Sequence, residues 1–310
     1  WTQLKNTVTR HRKFHDADWA MNPGQIERIE TVANRLAPDA PVFKHQLLFG
    51  YTDLELYETT GDYEEQAQKL EVRRQEAIKE VVATGNMASV LSFANAVENP
   101  WLVGKVFATI ADAAADALVL PDLLESENKK FVQFAGGFIQ SRSQTQGWSW
   151  VDGLDISKWT RSQIADLLTY LPFNKDTWER AKRLLDSEES MYWTRTSAFP
   201  FANTEDLSPA IDRLIQFDRP NAAVRCLYRM LIARRPLECA RAIKALLAQV
   251  KSEKHGQPIA YNETVEIIKA LQSDPSVDIE SLKLIEWQYL PMLNSHGDCS
   301  PRTLERYLAT

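Results

Sequence analysis

Two short segments contain histidines whose spacing could support chemistry. In the first, His11 and His15 are four residues apart and are followed by Asp16 and Asp18. On a helix both imidazoles would lie on one face, and a carboxylate could provide the third ligand of a metal site. Basic residues lie between and beside the two histidines, and their charges would oppose the binding of a cation. We therefore expect a solvated basic segment and no metal.

The second segment could form a nucleophile with its base. His296, Asp298 and Cys299 lie in a Gly-containing turn near the C-terminal end of the chain, where an ordinary loop is the simpler interpretation. The sequence has neither a glycine-rich phosphate loop nor the H-E-x-x-H or G-x-S-x-G motif. We expect no catalytic residue and no cofactor. An enzyme with an unrecognised hydrolytic or metal-dependent site remains the alternative function.

The strongest anomaly in composition is a basic region. Residues 212–254 contain ten Lys and Arg against four Asp and Glu, a local charge of +6 in a chain whose net charge is −6. Arg225 and Arg229 share a helix face, and Arg241 and Lys244 lie close together on the next predicted helix. We take these four as candidate partner-binding residues, which could contact an acidic partner or a nucleic acid. A solvated face with internal ion pairs is the alternative interpretation.

Tryptophan is frequent, with nine residues, and three of them crowd one short region. If Trp148, Trp150 and Trp159 were exposed, they would form an anchor cluster for a partner. Burial is the expected state, because stacked helices need large side chains where turns leave gaps.

Composition limits the class of protein. The chain has 310 residues, of which 44% are hydrophobic and 25% charged, which is typical of a globular protein. Its negative charge argues against nucleic acid as a partner, and no apolar run approaches the roughly 20 residues that span a bilayer. The three cysteines lack C-x-x-C spacing, so we expect a cytoplasmic protein. The chain opens at Trp1 without a signal segment, and we expect an excised piece of a longer polypeptide.

Hydrophobic periodicity predicts an all-α fold. From Tyr63 onward the apolar residues recur at intervals of three and four residues, as in the apolar stripe from Cys239 to Val250. Only residues 41–49 suggest a strand. Helix starts are predicted by a capping box of Thr160 and Gln163, by N-caps at Asn86, Asn262 and Asp278, and by prolines in a first turn at Pro100, Pro209, Pro220 and Pro236.

Two similar turns indicate a repeat. Residues 84–90 and 217–224 each end an apolar helix and restart with small residues before a valine. A helix hairpin cannot bury its apolar stripe alone, so we expect an α-solenoid of stacked antiparallel hairpins of the tetratricopeptide (TPR) or HEAT type. The predicted division is an N-terminal helical segment capping the array at 1–60, a first lobe at 61–195 and a second lobe at 196–310.

Several aromatic segments also carry a family resemblance. Most of the chain resembles the helical-repeat region of very large, poorly characterised bacterial proteins, through residues 61–64 (GDYE), 99–104 (NPWLVG), 147–150 (GWSW), 171–173 (LPF) with 177–178 (TW), 192–193 (YW) and 286–291 (EWQYLP). The resemblance implies a non-catalytic scaffold that contacts a protein partner or flanking domains of its parent chain. Some of these proteins resemble sensors in defence systems against phage, and such a sensor module is a further expectation.

Overall fold

The computed structural model describes residues 1–50, 63–199, 206–253, 261–295 and 300–308. Within these ranges the fold is all-α, with 17 α-helices and no strand, so the predicted fold class is confirmed at this level. Contacts divide the chain into two compact units, Trp1–Trp159 and Thr160–Thr310. The predicted boundary at 195/196 therefore lies inside the second unit, and the three-part domain division stays a prediction.

Seven α-helices build the first unit. They are α1 (Thr2–Lys13), α2 (Pro23–Arg35), α3 (Pro41–His45), α4 (Tyr63–Ala96), α5 (Pro100–Ile110), α6 (Ala114–Val119) and α7 (Lys129–Gly153), with 3-10 turns at Gln46–Phe49 and Asp122–Glu125. Helix α4 is interrupted at Gly85 and Asn86, and α7 at Gly147.

Ten α-helices build the second unit. They are α8 (Arg161–Thr169), α9 (Lys175–Leu185), α10 (Ser190–Arg195), α11 (Ser208–Gln216), α12 (Pro220–Ile232), α13 (Cys239–Glu253), α14 (Tyr261–Ser273), α15 (Ile279–Gln288), α16 (Leu290–Ser295) and α17 (Arg302–Leu308), with a 3-10 turn at Asp186–Glu188.

The strand suggested at residues 41–49 is wrong, because this segment is helical. Pro41 is the first residue of α3, a position where its missing N–H leaves no hydrogen bond unmade. The following 3-10 turn buries Phe49, whose ring meets that of Phe93 edge to face at 5.1 Å. The Arg74 guanidinium donates to the Leu48 carbonyl at 2.8 Å, which fixes the turn on α4.

Most predicted helix starts are confirmed. The capping box is formed, since the amide of Gln163 donates to Thr160 Oγ1 at 3.1 Å and the amide of Thr160 donates to Gln163 Oε1 at 2.9 Å. Asp278 caps α15 through the amide of Ser281 at 2.9 Å. The predicted first-turn prolines at 100 and 220 begin α5 and α12, and the one at 209 is the second residue of α11.

Three predicted starts differ from the structure. Asn262 lies inside α14, which begins one residue earlier, so it is not an N-cap. Pro236 precedes α13, which begins only at Cys239, because residues 235–238 form an irregular connection. Asn86 marks the break in α4 with φ 57°, in the left-handed region rather than the extended conformation of an N-cap. The similar turn after α11 also carries a left-handed residue, Asp218, with φ 55°.

Helices α5 and α7 cross at a pair of glycines. A Cβ atom on Gly104 would lie 1.9 Å from the Phe134 carbonyl oxygen, and one on Gly137 would lie 2.0 Å from the Trp101 carbonyl oxygen. Each glycine therefore rests on the backbone of the other helix. Phe107 packs beside this contact against Phe134, with ring centroids 5.8 Å apart. The crossing places the two backbones in direct contact at the centre of the first unit.

A buried ion pair ties the end of α5 to α6 and α7. Arg142, only 5% exposed, contacts Asp116 with 3.1 Å between Nε and Oδ1, and it also donates to the Ala111 carbonyl at 3.1 Å. The Trp150 indole donates to the second oxygen of Asp116 at 2.7 Å. The sequence predicts that the three tryptophans of this region are buried. The prediction is confirmed for Trp150, whereas Trp148 and Trp159 are half-buried.

Helices α11 to α15 of the second unit pack in a regular order. Consecutive helices are neighbours, and α11 also contacts α13, α12 contacts α14, and α13 contacts α15. A buried polar network crosses this core: the Tyr289 hydroxyl donates to Gln249 Oε1 at 2.7 Å, and the Gln249 amide donates to Asn221 at 2.9 Å. The glutamine thereby connects three of the helices.

A buried carboxylate holds the C-terminal helix α17. Glu286 is fully buried and accepts hydrogen bonds from the amides of Thr303 at 3.2 Å and Leu304 at 2.6 Å. The Gln272 side chain donates a third bond at 2.8 Å. The negative charge therefore lies against unsatisfied backbone N–H groups at a helix start, where it is favoured.

Replacing Gly104 by alanine tests the helix crossing. The added Cβ would overlap the α7 backbone, and because backbone atoms cannot rotate away, we expect a loss of about 3 kcal/mol or more in the free energy of unfolding. Urea denaturation measures it. Gly153→Ala is the matched control, since its Cβ would meet nothing within 4 Å and should change stability by less than about 0.5 kcal/mol. Equal effects of the two variants would refute the backbone contact.

Replacing Glu286 by glutamine tests the anchoring of α17. The amide has a neutral acceptor and presents an NH2 group to backbone donors, so we expect a loss of about 2–3 kcal/mol. Denaturation measures the loss, and earlier proteolytic cleavage before α17 should accompany it. Glu280→Gln is the control, because that side chain is 79% exposed. A variant that keeps both stability and protease resistance would contradict the anchor.

Candidate binding site

The two histidines weighed as candidate metal ligands do not come together. Helix α1 ends at Lys13, so His11 and His15 do not share a helix face. His11 Nδ1 accepts a hydrogen bond from the Met21 amide at 3.1 Å, while His15 contacts only the adjacent Asp16 and is exposed. In the described part of the chain no three His, Cys, Asp or Glu side chains are placed to hold a metal.

His296, Asp298 and Cys299, the candidate residues of the alternative hydrolytic function, lie outside the described residues, so that alternative stays a hypothesis. The two other cysteines are poor nucleophiles. Burial raises the pKa of Cys226 to about 12. Burial and the neighbouring Asp274 carboxylate also raise the pKa of Cys239, whose thiol contacts that carboxylate at 3.3 Å. Both thiols therefore stay protonated near neutral pH.

The four predicted partner-binding residues differ in exposure. Arg225 and Arg229 are half-buried on α12, and Lys244 is exposed on α13. Arg241 pairs with both oxygens of Asp212, at 3.0 and 3.1 Å, and also contacts Glu238. The hydrogen bonds that Arg241 donates to Asp212 raise the pKa of Arg241, which stays charged. The Arg241 guanidinium therefore makes its ion pairs within the chain. That Arg225, Arg229 and Lys244 bind a partner stays a prediction.

Another member of the basic region also has a structural role. Arg219 donates to the carbonyls of Trp193, Thr194 and Thr196, at 3.1, 2.8 and 3.0 Å. These carbonyls lie at the end of α10, where the helix leaves backbone acceptors unsatisfied. Burial lowers the pKa of Arg219. Part of the positive charge in the basic region therefore belongs to arginines that contact carbonyl and carboxylate groups of the same chain.

A cavity of about 460 Å³ lies between α9, α10 and α11, and we name it the Trp178 cavity. Trp178 and Trp193 form its floor, Pro209 forms an apolar side, and Glu189, Asp206 and Arg213 add polar groups. Two lysines, Lys175 and Lys182, and Glu179 complete the lining. A volume of this size is typical of a ligand or side-chain binding site.

Packed aromatic rings support the floor of the Trp178 cavity. The centroids of Trp178 and Trp193 are 6.1 Å apart, and the Phe173 ring meets that of Trp178 edge to face at 5.1 Å. Tyr192 packs edge to face on Trp193 at 5.1 Å. The two tryptophans are only 7% and 2% exposed, so the floor is rigid.

Glu189 is the buried charge of the Trp178 cavity. It is 9% exposed, and its Oε1 atom accepts a hydrogen bond from the Trp193 indole at 2.5 Å and lies 3.4 Å from Arg213 Nε. Within the described residues Oε2 has no hydrogen-bond partner. This oxygen is not among the fully buried atoms, so it is an acceptor that a ligand donor can reach.

Part of this site was expected from the sequence. Trp178, Ala181 and Leu185 recur at helical spacing in the sequence and predict that Trp178 is core, and the aromatics at 192, 193, 199 and 201 in the next segment are predicted to pack on neighbouring helices. Tyr192 and Trp193 do so, within α10, whereas Phe199 is 57% exposed and the expectation fails for it. Phe201 lies outside the described residues. Nothing in the polar run around Glu189 signalled that this glutamate is buried.

A second cavity of about 430 Å³ shares Asp206 with the Trp178 cavity. We name it the Arg235 cavity, and Met230, Arg235, Leu237 and Arg241 are among its lining residues. The amide and the hydroxyl of Ser208 donate to Asp206 and lower the pKa of its carboxyl. Asp206 is therefore ionised at the start of α11, between the two cavities.

Comparisons with protein-family models, with curated proteins and with solved structures found no match to the chain. The family resemblance therefore stays a prediction. In the described residues no helix is long and apolar enough to cross a membrane. The described lining of the Trp178 cavity offers a rigid aromatic floor, a carboxylate and a charged rim, which is an arrangement suited to binding a ligand.

Replacing Asp206 by asparagine tests the lowered pKa. Such a carboxyl stabilises the fold above its unfolded pKa, and the contribution is lost as the pH falls through the folded pKa. We expect the wild-type chain to be more stable than Asp206→Asn at pH 7, by a margin that shrinks between about pH 5 and about pH 3. Urea denaturation across this pH range measures it. Ser208→Ala keeps the backbone donor and should keep part of the margin, and a pH-independent margin would contradict the assignment.

Proposed function

We propose that this chain is a non-catalytic helical scaffold that binds a protein partner or a neighbouring domain of a longer bacterial polypeptide. The observation that carries the proposal is the Trp178 cavity, where two packed indoles and a buried carboxylate form a preorganised concave site. Rigid aromatic groups with a few oriented polar groups are typical of binding hot spots. A sensor module of a defence system is one form that such a scaffold could take.

The packing order of the second unit supports a stacked architecture. Helices α11 to α15 each contact the next helix, and alternate helices of this series are also neighbours. In stacked hairpins each helix meets its own hairpin partner and the equivalent helices of adjacent hairpins. We therefore propose that this region is a short solenoid of the TPR or HEAT type, whose first helix, α11, lines the Trp178 cavity.

Site-specific photo-cross-linking in the producing cells tests the scaffold function. A photoreactive phenylalanine analogue replaces Lys182, an exposed lining residue of the Trp178 cavity, or Glu280 on α15 as the control position. We expect a discrete protein adduct from position 182, or a cross-link within the parent chain, and a much weaker one from position 280. The adduct protein, once purified, should bind the unmodified chain in calorimetry. Absence of any protein adduct from position 182 would overturn the proposal.

A further inference from the structure

We infer that the Trp178 cavity receives an arginine side chain presented by the protein partner, with its guanidinium on Glu189. This inference rests on the proposed scaffold function and names the group that the cavity recognises. The first support is that the charged side chains of the cavity differ in how deeply they are buried. Glu189 is 9% exposed on the cavity floor, whereas the side chain of Lys175 is 72% exposed and that of Glu179 is 66% exposed at the rim. An inserted group therefore meets the Glu189 carboxylate on the floor, where Arg213 is paired with its Oε1 atom.

The geometry of Glu189 leaves one oxygen for a ligand. Oε1 is used by the Trp193 indole and lies near Arg213, and Arg213 supplies an ion pair at 3.4 Å without a hydrogen bond to this carboxylate. Within the described residues Oε2 has no hydrogen-bond partner. A charged donor at Oε2 would form a charge-assisted hydrogen bond, which is stronger than one between neutral groups.

Arginine fits this site better than lysine or a small amine. The planar guanidinium is weakly hydrated, carries donors in a fixed fork and packs on aromatic rings, and its aliphatic stem can lie on Trp178 and Pro209. The partner is a protein because the rim carries charges of both signs, which can meet the residues that flank the arginine.

Calorimetric titration of the intact chain with N-acetyl-arginine amide tests the inference. We expect a dissociation constant near 1 mM, as for one inserted side chain, with N-acetyl-norleucine amide and N-acetyl-glutamate amide at least about tenfold weaker. Glu189→Gln keeps an acceptor for the Trp193 indole and should weaken arginine binding about tenfold or more. Glu188→Gln is the matched control, because Glu188 is the exposed neighbour and should leave binding unchanged. Melting temperatures of both variants show whether the fold is intact.

A second variant, Arg213→Gln, is not expected to weaken arginine binding as Glu189→Gln does. Arg213→Gln removes the competing guanidinium, so arginine should bind equally well or more tightly, whereas an anionic ligand held by Arg213 would be lost. Tighter binding of the glutamate derivative, a loss of arginine binding in Arg213→Gln, or unchanged binding in a folded Glu189→Gln would each overturn the inference. If the adduct protein from position 182 binds the chain but the arginine derivative does not, the scaffold function stands and the arginine assignment is wrong.

Discussion

Unsatisfied backbone groups at helix ends are the constraint on which this fold depends. A chain of many short helices has many ends, and each end leaves N–H or C=O groups without partners inside its helix. Here charged side chains from other parts of the chain reach these ends: Arg142 contacts the end of α5, Arg219 the end of α10, and Glu286 the start of α17. Each contact both removes a desolvation cost and fixes the angle at which two helices meet.

This use of charge changes what the basic region of the sequence means. A local excess of arginine predicts a basic surface only if the guanidinium groups are exposed. Arg219 instead donates to carbonyls at the end of α10, and Arg241 pairs with Asp212 on α11. Both arginines therefore stabilise helices that line the Trp178 and Arg235 cavities. By fixing α10, Arg219 also fixes the Trp193 indole, whose N–H in turn orients Glu189. The arginines thus contribute to the site by positioning it.

The sequence predicts those features that depend on neighbours along the chain. Helical stripes, the Thr160 capping box and the prolines at helix starts are local, and the all-α class follows from them. The Gly104 and Gly137 contact joins residues 33 positions apart, and neither glycine differs by any local signal from one that merely weakens a helix. The burial of Glu189 is likewise decided by rings on α9 and α10, so the cavity could not be predicted from the polar run that contains it.

A buried carboxylate with one unused oxygen is easier to understand in a binding scaffold than in a self-contained fold. If stability alone mattered, a neutral side chain at position 189 would accept the Trp193 indole N–H without the cost of burying a charge. The carboxylate is already paired with Arg213 and the Trp193 indole through Oε1, and a cation from a partner would add a charge-assisted hydrogen bond at Oε2. The aromatic floor holds this acceptor in place before the partner arrives, so little ordering is needed on binding.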